Sequence, residues 1–264
     1  MEILGYLSAL LIGLSLGLTG SGGSILTVPI LVYLIGLTPV ISTAYSLFIV
    51  GTTSLVGSVK FYRKGLVSFR TALIFGVPSL TTVFLTRTFL VPAIPEHIFT
   101  VAGFAITKDI LLMVLFAILM MLASFSMIRK TSIKPEPEGE NHIHYLAVLG
   151  QGVLVGLISG LVGAGGGFLI IPALVLFTGL DMKLAVGTSL FIIAANSLIG
   201  FIGDIFHYNI DWAFLFTFSA LSVAGIFIGT ALATKIQGEK LKKGFGWFVL
   251  AMGVYILIRE IFFT

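Results

Sequence analysis

Residues 19–29 read TGSGGSILTVP, and residues 162–172 read VGAGGGFLIIP. Both stretches interrupt apolar sequence in which a membrane helix needs side chains for packing. Shifting the chain by 143 residues superimposes them. Gly20, Gly22 and Gly23 fall on Gly163, Gly165 and Gly166, and Pro29 falls on Pro172. The match runs further, with Gly36-Leu37 on Gly179-Leu180 and Ser46-Leu47-Phe48-Ile49 on Ser189-Leu190-Phe191-Ile192. Of the 45 positions from Gly13 to Gly57, 20 are identical in the second copy, which marks an internal repeat rather than shared oiliness.

The chain has 264 residues, 58% hydrophobic and 10% charged. Soluble domains carry roughly 25% charged residues, so this composition identifies a polytopic membrane protein. The N-terminus MEILGYLSALLIGLSLGL lacks a basic n-region and a clear small-x-small cleavage site, and reads as the first membrane helix rather than a removed signal. With no cysteine, thiolate metal sites, disulfides and thiol relays are excluded. The net charge of +4 comes from lysines and arginines clustered at segment ends, as in membrane proteins, and points to a lipid bilayer rather than nucleic acid.

Apolar periodicity gives segments at 3–19, 24–36, 40–59, 68–91 and 108–128, then 145–162, 167–179, 183–203, 211–234 and 244–262. The domain plan is a first membrane repeat over 1–130, a cytoplasmic linker over 131–144 and a second membrane repeat over 145–264. The first half carries roughly ten additional residues near Pro95–Thr107, by the same comparison of repeats.

Charge fixes the orientation. If 3–36 is one fused span, the 15 Lys and Arg divide about evenly between the two sides. If 3–19 and 24–36 form a hairpin, one side collects Lys60, Arg63, Lys64, Arg70, Arg129, Lys130, Lys134, Lys183, Lys235, Lys240, Lys242 and Lys243. The other keeps Arg87, Lys108 and Arg259. Twelve against three is a sharp positive-inside signal. The expected fold is therefore an all-α polytopic membrane protein of two inverted repeats. Each repeat has about five helical segments and opens with a broken or re-entrant helical hairpin. Both termini lie outside the cytoplasm.

Residues 24–36 make about 20 Å of helix, short of a hydrocarbon core of about 30 Å. The preceding turn then lies within the membrane's depth, where irregular backbone must be buried in protein or line a wet cavity. Glycine permits the turn and lets other groups approach its backbone. The helix that follows begins with unpaired N–H groups at the positive end of its dipole, an anion-binding arrangement. The candidate site is accordingly Thr19, Gly20, Ser21, Gly22, Gly23 and Ser24, with Gly163, Ala164, Gly165, Gly166 and Gly167 arriving from the opposite side. Two positive helix ends would face one midplane cavity, as in transporters built from broken helices. The competing reading is close helix packing, which suits Gly13, Gly17, Gly156 and Gly160 better than the turns.

Thr52, Thr53 and Asn196 are candidates to line the cavity; otherwise the hydroxyls bond their own helix and the asparagine joins helices. Lys60 reads as a snorkelling anchor. Asp204 and His207, near the outer end of their segment, are either proton-coupling groups or solvated loop charges. The pair His142 and His144 is too small a cluster for a metal and belongs to the linker. No cofactor is indicated.

With these residues in view, GLTGSGGSILTVPILVYLIGLTPVISTAYSLFIV and its copy GLVGAGGGFLIIPALVLFTGLDMKLAVGTSLFIIAANSLIG resemble the sulfite exporter TauE/SafE family of membrane permeases. The resemblance covers nearly the whole chain. It implies transport of small anions across the cytoplasmic membrane, commonly sulfite, sulfonates or related sulfur oxyanions, and sometimes organic acids. The turns themselves specify only a small anion. An anion channel is the alternative class, though sparse charge argues against a continuous polar path. An enzyme is not expected: there is no HExxH, no paired intramembrane aspartates and no Ser–His dyad, and no GxxxxGK[ST] for ATP hydrolysis.

The orientation is checked by fusing the C-terminus to a reporter active only in the cytoplasm. Silence is expected, and a strong signal contradicts the assigned topology.

Overall fold

The computed structural model describes residues 2–20, 23–101, 104–128, 145–232 and 238–262. The linker, His142 and His144, and Ser21 and Gly22 of the first turn lie outside the described residues. The first half begins with α1 (Glu2–Thr19) and α2 (Ser24–Ile30), which runs on as a π-helical turn over Leu31–Ile35. Next come α3 (Pro39–Arg63) and α4 (Phe69–Leu85), the latter extended by a π-helical turn over Thr86–Leu90 and by α5 (Val91–Ala93). A β-hairpin of β1 (His97–Val101) and β2 (Phe104–Thr107) leads into α6 (Lys108–Ile128). The additional residues of the first half are this hairpin. The second half contains α7 (Tyr145–Val162), α8 (Gly167–Thr178), α9 (Met182–Ile205), α10 (Trp212–Leu232) and α11 (Gly238–Phe262).

The sequence punctuates these elements. Gly36 and Gly179, equivalent in the two copies, close the arms α2 and α8 in the left-handed conformation at φ 83° and 64°, which a side chain resists. Pro39 stands at the first turn of α3, where a missing N–H costs little. Pro29 and Pro172 lie inside the arms and each removes a helical hydrogen bond.

Each half opens with a hairpin. Gly23 lies against the Ile12 carbonyl and Leu16, while Gly5, farther back along α1, meets the Ile35 side chain, so the α2 arm retraces α1. Gly166 backs onto Ser159 and Val155 in the same way. The packing obeys a pseudo-twofold relation. Gly13 meets Ser222 on α10, and its counterpart Gly156 meets Ser79 on α4, the counterpart of Ser222. Gly17 meets Thr230 and Gly229; Gly160 meets Thr86. The first helix of each half thus packs against the fourth membrane helix of the other, through small residues that bring backbones together without a hydrophobic drive from water.

At the centre, α3 and α9 pack against one another. Leu47 faces Gly200, Gly51 faces Leu198, and Gly57 lies beside Leu190. Numbers rise along one helix as they fall along the other, so these equivalent helices run antiparallel. Among the described residues, five helices are long and apolar enough to cross a membrane: Pro39–Arg63, Phe69–Ala93, Lys108–Phe125, Met182–Ile205 and Trp212–Leu232. Phe75, Phe116 and Phe218 are fully buried, whereas Leu7, Leu73, Leu122 and Phe227 are exposed, an apolar surface suited to lipid.

A methyl group at Gly13 would run into the Ser222 carbonyl, which is backbone and cannot swing aside. Gly13→Leu and Gly156→Leu are therefore expected to cost about 1–3 kcal/mol of stability or more. Gly150→Ala, at a glycine with nothing within 4 Å among the described residues, should leave it unchanged. Thermal unfolding in detergent is the measurement.

Candidate functional site

The second turn contains three left-handed glycines within four residues: Gly163, Gly165 and Gly166, at φ 72°, 65° and 68°. Side chains strain at such dihedrals. The Gly163 N–H donates to the Ser159 carbonyl at 2.9 Å, ending α7, and the Leu169 N–H donates to the Gly166 carbonyl at 2.9 Å, opening α8. No side chain caps α8 at Gly166, so its first N–H groups remain at the positive end of a twelve-residue helix.

Polar groups crowd this backbone because glycine leaves them room. A Cβ on Gly163 would lie 2.7 Å from Nη2 of Arg87 and 2.5 Å from the carbonyl oxygen of Thr43; one on Gly165 would lie 2.5 Å from the Ser197 hydroxyl. Gly166 has the Ser159 hydroxyl beside it. Ala164 and Gly167 are buried with them. Arg87 and Asp204 are both 0% exposed, and Nη1 of Arg87 lies 3.1 Å from Oδ2 of Asp204. The same Nη1 donates to the Thr43 hydroxyl at 3.0 Å. Arg87 Nε and Nη2, Asp204 Oδ1 and the hydroxyls of Ser159 and Ser197 have no partner among the described residues. Three donor groups and a helix N-terminus thus surround one buried turn.

Helix geometry explains how Arg87 arrives there. It belongs to the π-helical extension of α4, where one added residue per turn re-aims side chains and often marks a functional site. Gly203, opposite, brings α9 close enough for the Arg87 Cβ and the Thr88 hydroxyl to touch it.

The remaining candidates separate. The Thr52 hydroxyl donates to the Phe48 carbonyl at 2.8 Å and that of Thr53 to the Ile49 carbonyl at 2.6 Å, so both are bonded along their own helix. Asn196 Nδ2 donates to the Ser79 hydroxyl at 2.7 Å and joins α9 to α4, while its Oδ1 is unpartnered. The Thr19 hydroxyl donates back to the Ser15 carbonyl at 2.8 Å, and Ser24 is buried. Gly20 lies against Val186, near the start of α9. Val186 and Asp204 are eighteen residues apart on that helix, about 27 Å. Gly20 and the Arg87 cluster therefore stand at opposite ends of the α3–α9 pair, and the described part of the first turn does not enter the cluster. Gly165, by contrast, reaches the middle of that pair, beside Val50 and Ile193.

Asp204 is not a solvated loop charge, because burial and Arg87 enclose it. His207 is exposed in the turn that follows α9. In the same turn, burial first and the Asp204 carboxylate second push the Tyr208 phenol above its ordinary pKa. Lys60, exposed on α3, donates to the Thr230 hydroxyl at 3.1 Å. Charge counting placed Arg87 among the flanking cations, but it is a buried ion-pair member and leaves that tally. Its signal in the sequence was an arginine four residues before the end of the apolar run 68–91, which is a functional marker in membrane segments. Thr43, Ser159 and Ser197 gave no sequence signal of their own.

Removing one member of a buried ion pair strands the other, at a cost of about 3–5 kcal/mol, while replacing both with apolar residues is often neutral. Asp204→Ala is expected to lower the melting temperature sharply, and Arg87→Met/Asp204→Leu to restore it. Equal stability in all three proteins would contradict the pairing.

The sequence profile of the sulfite exporter TauE/SafE family matches residues 6–256. A probable membrane transporter protein of Xylella fastidiosa (strain 9a5c) is 32% identical over 255 residues, covering 95% of this chain and 92% of the relative. The probable membrane transporter protein YunE of Bacillus subtilis is 25% identical over 284 residues, covering 97% and 99%. No solved structure matches. With its doubled glycine turn, its apolar membrane helices and a family match over residues 6–256, this multi-pass membrane transporter belongs to the sulfite exporter TauE/SafE family.

Proposed function

We propose that the protein is a secondary transporter that moves a small anion, such as sulfite or an organosulfonate, across the cytoplasmic membrane by alternating access. The supporting observation is the second turn, where Arg87, Ser159 and Ser197 present unpartnered buried donors around left-handed glycines. A sulfur oxyanion offers several acceptor oxygens and a charge, which match a guanidinium edge, two hydroxyls and helix N–H groups. The binding position is the part of the turn at Gly165, near mid-length of α3 and α9. The antiparallel run of these helices and the Lys/Arg distribution support inverted repeats with both termini outside and re-entrant hairpins. In this reading the first turn, whose Gly20 lies beside Val186 near the start of α9, borders the same path on its cytoplasmic side. Alternating access rocks one repeat against the other around the site.

A small carboxylate is the second reading, favoured by the Asp204 carboxylate to which Arg87 already donates. Carrier and channel differ in kinetics: saturable counterflow supports a carrier, conductance at near-diffusive rates a channel.

In proteoliposomes, the wild type is expected to exchange labelled sulfite for internal sulfite with saturation. Gly165→Leu and Gly166→Leu, checked as folded by size-exclusion chromatography, should lose at least tenfold of this counterflow, as should Gly22→Leu in the first copy. Gly150→Ala should retain it. Wild-type counterflow in the two second-turn variants would remove the basis for the site.

A further inference from the structure

We propose that Arg87 and Asp204 form an exchange pair that couples the anion to a proton: the incoming oxyanion takes the place of the Asp204 carboxylate on Arg87, and the displaced carboxylate takes up one proton. This rests on the anion-transport reading of the same turn and adds its coupling ion.

Three observations carry it. The pair is sealed, with both side chains 0% exposed. It is also half made. A guanidinium can hold a carboxylate through two parallel bonds, yet here a single nitrogen, Nη1, serves both Asp204 and Thr43. Arg87 Nε and Nη2 and Asp204 Oδ1 remain without a partner among the described residues. Finally, the free Nη2 is the atom that lies against Gly163 of the anion turn. An arginine with one edge toward an internal carboxylate and a free edge toward the binding turn is poised to trade one anion for another.

Charge balance supplies the proton. The empty pair is neutral. A monovalent anion on Arg87 would leave Asp204 as an uncompensated buried carboxylate, which in such surroundings takes the neutral form. Binding one proton at Asp204 restores neutrality, and returning to the Arg87 pair releases it once the anion has left. The other charged or titratable groups acting on Asp204 are His207 in the following turn and Lys108 at the start of α6. Tyr208 senses the Asp204 carboxylate, and Lys108 is itself offset by Glu96 and Asp109. None of the described residues of α8 or α10 is an acid or a base. Among these groups Asp204 is the one in contact with Arg87. Transport of a monovalent anion should therefore be electroneutral.

The test uses the full-length protein in proteoliposomes with a luminal pH dye and three probes: sulfite, sulfate and methanesulfonate. Any probe that the wild type exchanges is taken on to net uptake. The expected result is one more proton moved per anion by the wild type than by Asp204→Asn. Normalised to each protein's own counterflow, accumulation driven by a pH gradient should fall at least tenfold in Asp204→Asn and be retained in Asp204→Glu; if Asp204→Asn exchanges nothing, the wild-type proton count with sulfate or methanesulfonate decides. Equal proton counts, or undiminished accumulation in Asp204→Asn, overturn the proposal. If Asp204→Asn does not fold, wild-type net uptake of sulfate or methanesulfonate without a proton overturns it equally, because strong-acid anions bring none of their own. A wild type that exchanges none of the probes overturns the anion-transport reading, and the coupling with it.

Discussion

Within a bilayer a chain cannot leave backbone N–H and C=O groups to the solvent, so each break in a helix has to be enclosed by protein or by a polar cavity. This protein breaks two helices, and much of its architecture serves to enclose the breaks. The arms α2 and α8 fold back on α1 and α7. The antiparallel pair α3 and α9 then runs past the second turn, with Val50 on one side and Ile193 and Ser197 on the other. Glycines do this work twice over. At φ 65–72° they form the second turn, and in α7 and α9 they let α4 and its π-helical extension close around it.

Twofold packing makes the chemical asymmetry of the halves informative. Under the 143-residue shift Arg87 corresponds to Thr230, Thr43 to Val186, Ser159 to Leu16 and Asp204 to Phe61. The same scaffold thus carries a buried cation, an acid and hydroxyls at one turn, and a threonine with three apolar side chains at the equivalent positions of the other half. The nearest polar echo in the first half is Lys60 bonded to Thr230. Duplication provided two enclosed helix ends, and substitution concentrated the charge at one. A buried ion pair seldom earns its place through stability, since apolar replacements often do as well. That makes function the stronger account of Arg87 and Asp204.

Much of this was legible in the sequence because the signals were local or repeated. Apolar runs set the helices to within a few residues, and the β-hairpin fills the stretch where the repeats fail to align. The doubled glycines located both turns, and the charge distribution favoured a hairpin over a fused span. Partners across the fold were not legible. Arg87 lies 76 residues from Gly163, and a charge near the end of an apolar run has the same appearance whether it snorkels outward or turns inward. Only the π-helical turn and the close approach of α9 decide between these. Thr52 and Thr53 show the converse, since their spacing puts them on a buried helix while their hydroxyls satisfy their own backbone.

The central claim is that the second turn and Arg87 together hold a small oxyanion. Thermal unfolding of the purified protein tests it most directly, because a ligand that binds the folded state raises its stability by mass action. The panel is sulfite, sulfate, methanesulfonate and small carboxylates at matched ionic strength, applied to the wild type and to Arg87→Met/Asp204→Leu. The account predicts a saturating rise in melting temperature with at least one of these anions in the wild type and none in the double variant. An equal rise in both proteins, or no rise with any anion in the wild type, would contradict it.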